Sequence, residues 1–271
     1  MSLLKIRLGG VERLVKYNST NKGFLYLTYL DNYDSSTFTD TPKIGEPTVY
    51  TTYNSFIPSS VQRAYGDYQI PFFCNSTTRE GNLWGGILSI ELPEIISVEW
   101  IESYPAIGTS SFGMPGGISI VNSGKTTGLG IHGCVTNVIG YELSDYNSTL
   151  QPNWYSERSY SSSSSYTGSY RYYYPSNYYS LLNTNIHIAA VIDTKNKMAN
   201  LYYNGTLAIT HNFASLSDVK YIRIDPGYFY PGYQAYRTQF CVRNGDCSTD
   251  GGTTYPVPDK PYWDFSKQRL R

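Results

Sequence analysis

The alternation of apolar and polar positions is clearest in the second half of the chain. Residues 186–192 form an almost uninterrupted apolar run, which is typical of a strand that is covered on both faces. A polar turn at 193–197 follows, and the strand-like stretch 200–210 is interrupted only by Asn204 and Gly205. Because both central residues of a type I′ turn need positive φ, Asn-Gly at this place predicts a tight β-hairpin. The pattern therefore predicts three consecutive strands.

Shorter apolar segments separated by turn residues occur along most of the chain. Between residues 98 and 141 they recur every ~8–12 residues, which is the spacing of a β-sandwich. No internal repeat and no helix longer than two turns is predicted. The fold class predicted is all-β, with further strands at 3–8, 24–30, 96–101, 117–121, 128–131, 221–224 and 234–242.

The order of these segments resembles a known family. A strand that ends in an Asp-containing turn, followed by a strand, Asn204-Gly205 and another strand, resembles the central hairpins of concanavalin A-like (laminin-G or pentraxin-like) jelly-roll domains. The resemblance covers roughly residues 85–245 and implies a jelly-roll β-sandwich with a loop-rich N-terminal extension. This fold hosts lectins, adhesins, glycosidases and interaction modules, so the resemblance does not fix a function.

Composition shifts divide the chain into three parts. Residues 1–80 are predicted to hold N-terminal strands and an extension, either an attachment module or a decoration of the sandwich. Residues 81–250 are predicted to form the sandwich. Residues 251–271 are a tail rich in Pro and aromatic residues, which either packs back on the domain or reaches a partner.

Charge and Cys content exclude several classes of function. The chain has 21 basic and 21 acidic residues, which argues against nucleic acid bound by phosphate neutralisation and against an anionic membrane surface. No apolar run is long enough for membrane insertion, and no signal peptide is seen at the N-terminus, so we expect either a trimmed chain or one made in a cytoplasm. The sequence contains no C-x-x-C pair, so a zinc site is not predicted. Cys241 and Cys247 flank a predicted turn, where a disulfide and free thiols are alternatives.

Tyr is the unusual component, with 29 copies against 10 Phe. Residues 153–180 contain nine Tyr and ten Ser, a composition similar to that of antibody binding loops. Aromatic rings can stack on the apolar face of a sugar, so we predict a glycan-binding site here, with an assembly interface or an inert loop as alternatives. The predicted ligand-binding residues, including a second Tyr cluster near 230, are Trp154, Tyr155, Arg158, Tyr170, Arg171, Tyr172, Tyr173, Tyr174, Tyr228 and Tyr230.

Catalytic and metal sites are less well supported. Glycoside hydrolysis needs two carboxylates on one face, but the spacing of Glu99 and Glu102 puts them on opposite faces of a strand. His187 lies in the buried strand pattern and is predicted to be a core or sheet-face residue. Calcium, a hard cation that prefers loop oxygens, is the one cofactor to consider. Its candidate ligands are predicted loop residues: Asp145 with Asn147, and Asn244 with Asp246 and Asp250.

These features together predict a non-enzymatic recognition protein. Its predicted partners are glycans or a host-surface receptor. Its low charge, its loops rich in Tyr, Ser, Gly and Asn and its predicted sandwich fold resemble those of a virion surface protein such as a phage tail or head fibre component. A homo-oligomer that contacts other virion proteins, located on a virion or outside the cell, is expected. Two alternatives stay open: a structural virion protein that binds no ligand, and a secreted glycoside hydrolase or its carbohydrate-binding module.

Overall fold

The computed structural model describes part of the chain. The backbone is described for residues 2–8, 11–17, 23–28, 33–34, 39–40, 42–46, 48–52, 84–88, 92–106, 113–114, 117–122, 127–135, 139–147, 170–173, 184–212, 219–225, 228–229, 234–264 and 266–270. Within these ranges, side chains are described for residues 23–28, 42–46, 92–102, 118, 120, 122, 129–131, 184–212, 221–222, 239–263 and 266–270.

The described residues are almost entirely β, which confirms the predicted fold class. A single short 3₁₀ turn, Asp250–Gly252, is the one helical element among them. The strands in chain order are β1 (Ser2–Leu8), β2 (Val11–Tyr17), β3 (Phe24–Thr28), β4 (Tyr33–Asp34), β5 (Thr39–Asp40), β6 (Thr48–Thr52), β7 (Trp84–Leu88), β8 (Ile95–Ala106), β9 (Gly113–Met114), β10 (Gly117–Asn122), β11 (Thr127–Val135), β12 (Ile139–Asn147), β13 (Tyr170–Tyr173), β14 (Ile186–Asp193), β15 (Met198–Tyr203), β16 (Thr206–Asn212), β17 (Val219–Asp225), β18 (Tyr228–Phe229), β19 (Gln234–Asn244), β20 (Trp263–Asp264) and β21 (Arg269–Leu270).

Two large antiparallel sheets contain most of these strands, while β1 with β2 and β20 with β21 form separate two-stranded sheets. One sheet has six strands in the order β16-β15-β14-β8-β19-β3. The other follows the path β13-β12-β11-β10-β17-β7-β6-β5-β4, with β9 and β18 attached at the side. Strands β12 and β13 of the second sheet lie close to β16 of the first, so the two sheets meet along one edge in a sandwich-like arrangement. The N-terminal strand β3 forms the far edge of the six-stranded sheet by pairing with β19.

The core is built from the apolar face that each sheet presents. Strand β14 is buried from Ile186 to Ile192, as the continuous apolar run predicts. The buried apolar side chains of the six-stranded sheet include Ile96, Val98 and Trp100, and those of the other sheet include Ile118, Ile120, Leu129, Ile131 and Ile222. We call these the inner faces and the opposite ones the outer faces.

The predicted Asn-Gly hairpin is confirmed. Strands β15 and β16 are joined by Asn204 and Gly205, whose φ angles are 46° and 83°. Positive φ at both residues is what a type I′ turn requires. The Asn204 side chain also accepts a hydrogen bond of 2.8 Å from the backbone N–H of His187, so the turn is tied to the neighbouring strand β14.

Residues 246–263, here called the C-terminal segment, pack back onto the outer face of the six-stranded sheet. The backbone N–H of Tyr255 donates to the carbonyl of Gly205 at 2.8 Å, and Thr254 forms a β-bridge with Thr206. The Tyr255 ring packs against Tyr202 at a centroid distance of 5.4 Å. Of the two alternatives for the tail, the structure therefore shows packing on the domain for this segment.

Two further predictions have a structural outcome in this region. Cys241 and Cys247 are both buried free thiols. Of the two alternatives predicted for this pair, a disulfide and free thiols, the structure therefore shows free thiols. In the part of the chain that the structure describes, no helix is long and apolar enough to cross a membrane.

Candidate functional site

A buried polar network lies beneath the C-terminal segment. Its centre is Glu99 in β8, whose side chain is fully buried. The Oε2 atom of Glu99 accepts hydrogen bonds from His187 Nε2 at 2.9 Å and from the Tyr262 hydroxyl at 2.6 Å. Its Oε1 atom accepts bonds from the Tyr255 hydroxyl at 3.1 Å and from the Arg243 guanidinium at 3.4 Å. Two strands of the sheet and the C-terminal segment therefore converge on one carboxylate.

The strand register explains why these residues meet. Glu99 lies opposite Ala189 in β14 and opposite Cys241 in β19. Since alternate residues share a face, His187 and Arg243 point to the same side as Glu99. Glu102 and Trp100 have the opposite parity to Glu99 and share the other face of the sheet, where Glu102 accepts a hydrogen bond of 2.8 Å from Trp100 Nε1. The prediction that Glu99 and Glu102 occupy opposite faces is confirmed, and so is the sheet-face position of His187.

The network keeps Glu99 ionised. Burial alone would raise the pKa of Glu99, but the hydrogen bond and charge interaction with His187, the charge of Arg243 and the bond from Tyr262 lower it overall. The pKa of Tyr255 is raised well above its ordinary value by burial and by the nearby Glu99 charge, so its hydroxyl keeps its proton as a donor. An ionised carboxylate that is closed to solvent and bonded at both oxygens acts as an anchor for the C-terminal segment.

A different arrangement appears on the outer face of the eleven-stranded sheet. In antiparallel pairs, directly opposite residues share a face, so the register defines rows of positions across the strands. Ile118, Ile131 and Ile224 are opposite one another on the inner face. The neighbouring positions, which have the opposite parity, therefore lie on the outer face.

Two such rows cross β13, β12, β11, β10 and β17, and a third crosses the last four of these strands. The small-residue row consists of Tyr170, Ser144, Gly130, Ser119 and Arg223. The acidic row beside it consists of Tyr172, Glu142, His132, Gly117 and Asp225. On the other side, the aromatic row begins at β12 and consists of Tyr146, Gly128, Val121 and Tyr221.

Small residues occupy the middle of this surface. Ser144, Gly130 and Ser119 stand between the larger Tyr170 and Arg223. Gly130 is buried although it has no side chain, so neighbouring groups shield its backbone from solvent. The register places aromatic, acidic and hydroxyl-bearing residues at neighbouring positions on the outer face, on either side of this row.

The structure separates the predicted Tyr-rich site into several locations. Tyr170 and Tyr172 have the parity of the outer face, whereas Arg171 and Tyr173 lie opposite Leu143 and Tyr141 and have the parity of the inner face. Tyr228 lies in β18, which pairs with β9 at the side of the sheet. The remaining predicted ligand-binding residues lie outside the described residues: Trp154, Tyr155, Arg158, Tyr174 and Tyr230.

The positions suggested for calcium are also placed. The expectation that Asp145 and Asn147 are loop residues is wrong, because the pairing of β12 with β11 continues to the end of β12, where Asn147 is opposite Thr127. Asn244 ends β19, and the Asp246 carboxylate accepts a bond of 2.8 Å from the backbone N–H of Ser248.

The Asp250 carboxylate also accepts a hydrogen bond within its own turn. Its Oδ2 atom accepts a bond of 2.8 Å from the hydroxyl of Thr254. Among the described residues, no group of three or more His, Cys, Asp or Glu is arranged to hold a metal ion. The structure therefore shows Asp246 and Asp250 stabilising the turn that leads into the C-terminal segment.

Sequence reasoning did not find the Glu99 network or the three rows. A Glu within the apolar stretch 95–101 was a usable signal for the network, because a buried carboxylate needs partners. Its partners Tyr255 and Tyr262 lie more than 150 residues further along the chain. The rows depend on the pairing register, which a single sequence does not reveal.

Comparisons with solved structures show a shared fold. The binding domain of botulinum neurotoxin serotype D has a TM-score of 0.52 at 13% identity, over 84% of this chain and 49% of that one. The binding domain of botulinum neurotoxin DC in complex with SialylT has a TM-score of 0.50 at 13% identity, over 84% and 48%. The same domain in complex with rat synaptotagmin II has a TM-score of 0.50 at 12% identity, over 84% and 49%.

The match is partial and concerns the fold alone. The chain spans about half the length of these solved structures. No protein-family model and no curated protein matches the sequence. The β architecture is therefore shared with known binding domains, while the ligand has to be argued from this chain's own residues.

Proposed function

We propose that this protein is a non-enzymatic recognition module that binds glycans through the outer face of the eleven-stranded sheet. The observation that carries the proposal is the register that aligns Tyr170 with Ser144 and Tyr172 with Glu142. Tyr offers a ring for stacking and a hydroxyl for hydrogen bonding. Ser and Glu accept hydrogen bonds from sugar hydroxyls. These residue types, brought side by side on one sheet face, fit a ligand that has both apolar faces and many hydroxyls.

The comparisons support a binding role. The similar solved structures are described as binding domains, one in complex with SialylT and another with rat synaptotagmin II. A protein receptor is thus the nearest alternative ligand. The fully buried, hydrogen-bonded state of Glu99 supports a non-enzymatic role, because this carboxylate cannot reach a substrate.

Assembly is the second candidate function. Strand β13 ends the path of the eleven-stranded sheet, and a Tyr-rich strand at an edge also suits contact with another subunit. In this account the low charge and the Tyr, Ser, Gly and Asn content belong to an oligomeric virion surface protein, such as a tail-fibre component. A virion role and a glycan-binding role are compatible, since a virion surface protein can recognise its host through glycans.

The proposal is tested by glycan-array binding of the full chain, with and without a calcium chelator. We expect the wild type to bind, and the double variant Tyr170→Ala/Tyr172→Ala to lose binding by about tenfold or more through lost stacking and hydrogen bonds. Lys195→Ala is the control, because Lys195 lies exposed in a turn of the other sheet. The thermal midpoint of each variant verifies folding.

Three results would count against the proposal. Failure of the wild type to bind any glycan while it forms a stable oligomer would favour the assembly role. Equal binding by the wild type and the double variant would exclude this face. Loss of binding on chelation, without an effect of the Tyr substitutions, would move the site to an oxygen-rich loop.

A further inference from the structure

Two residues of metal-ligating type share one face of strand β11. His132 and Cys134 are separated by a single residue, and alternate residues of a strand lie on the same face. Ile131 is buried on the inner face, so the two positions of opposite parity beside it and beyond belong to the outer face. Imidazole nitrogen and thiolate sulfur are both zinc ligands.

The strand register adds a carboxylate from the neighbouring strand. Glu142 of β12 lies directly opposite His132, and the pairing continues without a shift to Cys134 and Gly140. Directly opposite positions on one face have Cβ atoms about 4.5–5.5 Å apart, and diagonal positions are separated by about 7–8 Å or somewhat less. Three of these four neighbouring positions therefore carry a metal-ligating residue type.

We infer that His132, Cys134 and Glu142 form a binding site for one Zn²⁺ ion on the outer face of the eleven-stranded sheet. The three residues lie where the structure describes the backbone alone, outside the described side chains, among which no metal-binding group occurs. The lack of a C-x-x-C pair does not bear on this site, because its residues come from two paired strands. The inference is independent of glycan binding.

The positions around the three residues favour a metal site over a simple ion pair. Gly140 is opposite Cys134, and Gly117 of β10 is opposite His132 on its other side, so no side chain at either position competes for the same space. A cross-strand ion pair needs only His132 and Glu142. The thiol at the diagonal position is what completes a set of three ligands.

The mixed ligand set favours zinc over calcium. Calcium takes six to eight oxygen ligands, whereas this set offers one nitrogen, one sulfur and one carboxylate group. Zinc accepts all three types of ligand in tetrahedral sites. Three protein ligands leave the fourth position for water or for an oxygen atom of another ligand.

The test is zinc binding by the full chain, measured by calorimetric titration in the presence of a non-chelating reductant. We expect one Zn²⁺ per chain. Cys134→Ser and Glu142→Gln should each weaken zinc affinity by about a hundredfold or more, because each removes a direct ligand. Asp225→Asn is the matched control and should bind as the wild type does, because Asp225 is a carboxylate of the same row, two strands from His132.

Cobalt provides a second readout that reports the thiolate directly. Co²⁺ occupies tetrahedral zinc sites, and its bond to a thiolate gives a charge-transfer absorption that nitrogen and oxygen ligands do not give. We expect this absorption in the wild type and in Asp225→Asn, and its loss in Cys134→Ser. Its persistence in Cys134→Ser would assign the metal to another thiol and overturn the inference.

The remaining outcomes also decide the matter. Absence of zinc binding by the reduced wild type, or unchanged affinity in Glu142→Gln, would overturn the site. A loss in Asp225→Asn equal to that in Glu142→Gln would do so as well, because it would show an effect of charge on the whole face. The thermal midpoint verifies folding, and if Cys134→Ser does not fold, His132→Gln makes the same test on the same strand.

Discussion

Glu99→Ala is expected to lower the free energy of unfolding by about 3–5 kcal/mol, because it leaves a buried charged site without its partner. Four groups donate to this carboxylate: His187, Arg243, Tyr255 and Tyr262. Arg243 is 22% exposed and His187 is 3% exposed, so water can replace little of what is lost. Chemical denaturation followed by Tyr and Trp fluorescence measures the change.

The control for this prediction is a carboxylate in a different environment. Glu94 is 71% exposed and lies 3.7 Å from the similarly exposed Lys195, so Glu94→Ala should change stability by no more than about 0.5 kcal/mol. Limited proteolysis adds a local readout, because Glu99→Ala should release the C-terminal segment for cleavage. Equal stability of the two variants would refute the anchoring role. If Glu99→Ala does not fold, the double variant Tyr255→Phe/Tyr262→Phe makes the test by removing two of the four hydrogen bonds. Each lost bond should lower the free energy of unfolding by about 1.5–3 kcal/mol.

The wild type should show the same effect in acid. The folded-state pKa of Glu99 is lowered below its ordinary value of 4.5, so the stabilisation is fully present above that value. It is lost as the pH falls through the lowered pKa, because the folded state must then take up a proton at an unfavourable site. A smaller acid loss in Glu99→Ala than in the wild type would identify Glu99 as its source.

Gly205→Ala is expected to lower the free energy of unfolding by roughly 2–4 kcal/mol through backbone strain and overcrowding. The φ angle of Gly205 is 83°, where a side chain is strained. A Cβ atom there would lie 2.8 Å from Val257 Cγ2 and 2.9 Å from the Tyr255 carbonyl oxygen. The substitution therefore disturbs both the hairpin and the docking of the C-terminal segment.

Gly251→Ala is the matched control for the docking effect. Gly251 also has positive φ, 67°, but nothing lies within 4 Å of a Cβ built there. Its substitution should cost only the strain, about 1 kcal/mol. The difference between the two variants, measured by denaturation, reports the contact between the hairpin and the C-terminal segment. Equal losses would show that this contact contributes nothing.

Local sequence features predicted the centre of the fold well. Asn204 and Gly205 specify a turn by their own conformational preferences, and the apolar run 186–192 specifies a buried strand by its composition. The structure agrees with both, since β14 is buried and both turn residues have positive φ. Such features depend on interactions between near neighbours, which a single sequence contains.

Features that depend on distant pairing were not predictable. The bonds from Tyr255 and Tyr262 to Glu99 join residues 156 and 163 positions apart. The division of the predicted Tyr site follows from the register of β13 against β12, and Asp145 was predicted in a loop because the length of that hairpin was unknown. Register is set by the pairing of whole strands, so it becomes visible only in the folded chain.

Hydrogen exchange of the full chain, with and without the tightest-binding glycan from the array, tests the central claim most directly. The account predicts slower exchange in Tyr170–Tyr173, Ile139–Asn147 and Gly117–Asn122, the strands that carry the three rows. The C-terminal segment should be unaffected, because it covers the other sheet. Protection confined to residues 244–263, with none in these strands, would contradict glycan recognition on the outer face of the eleven-stranded sheet.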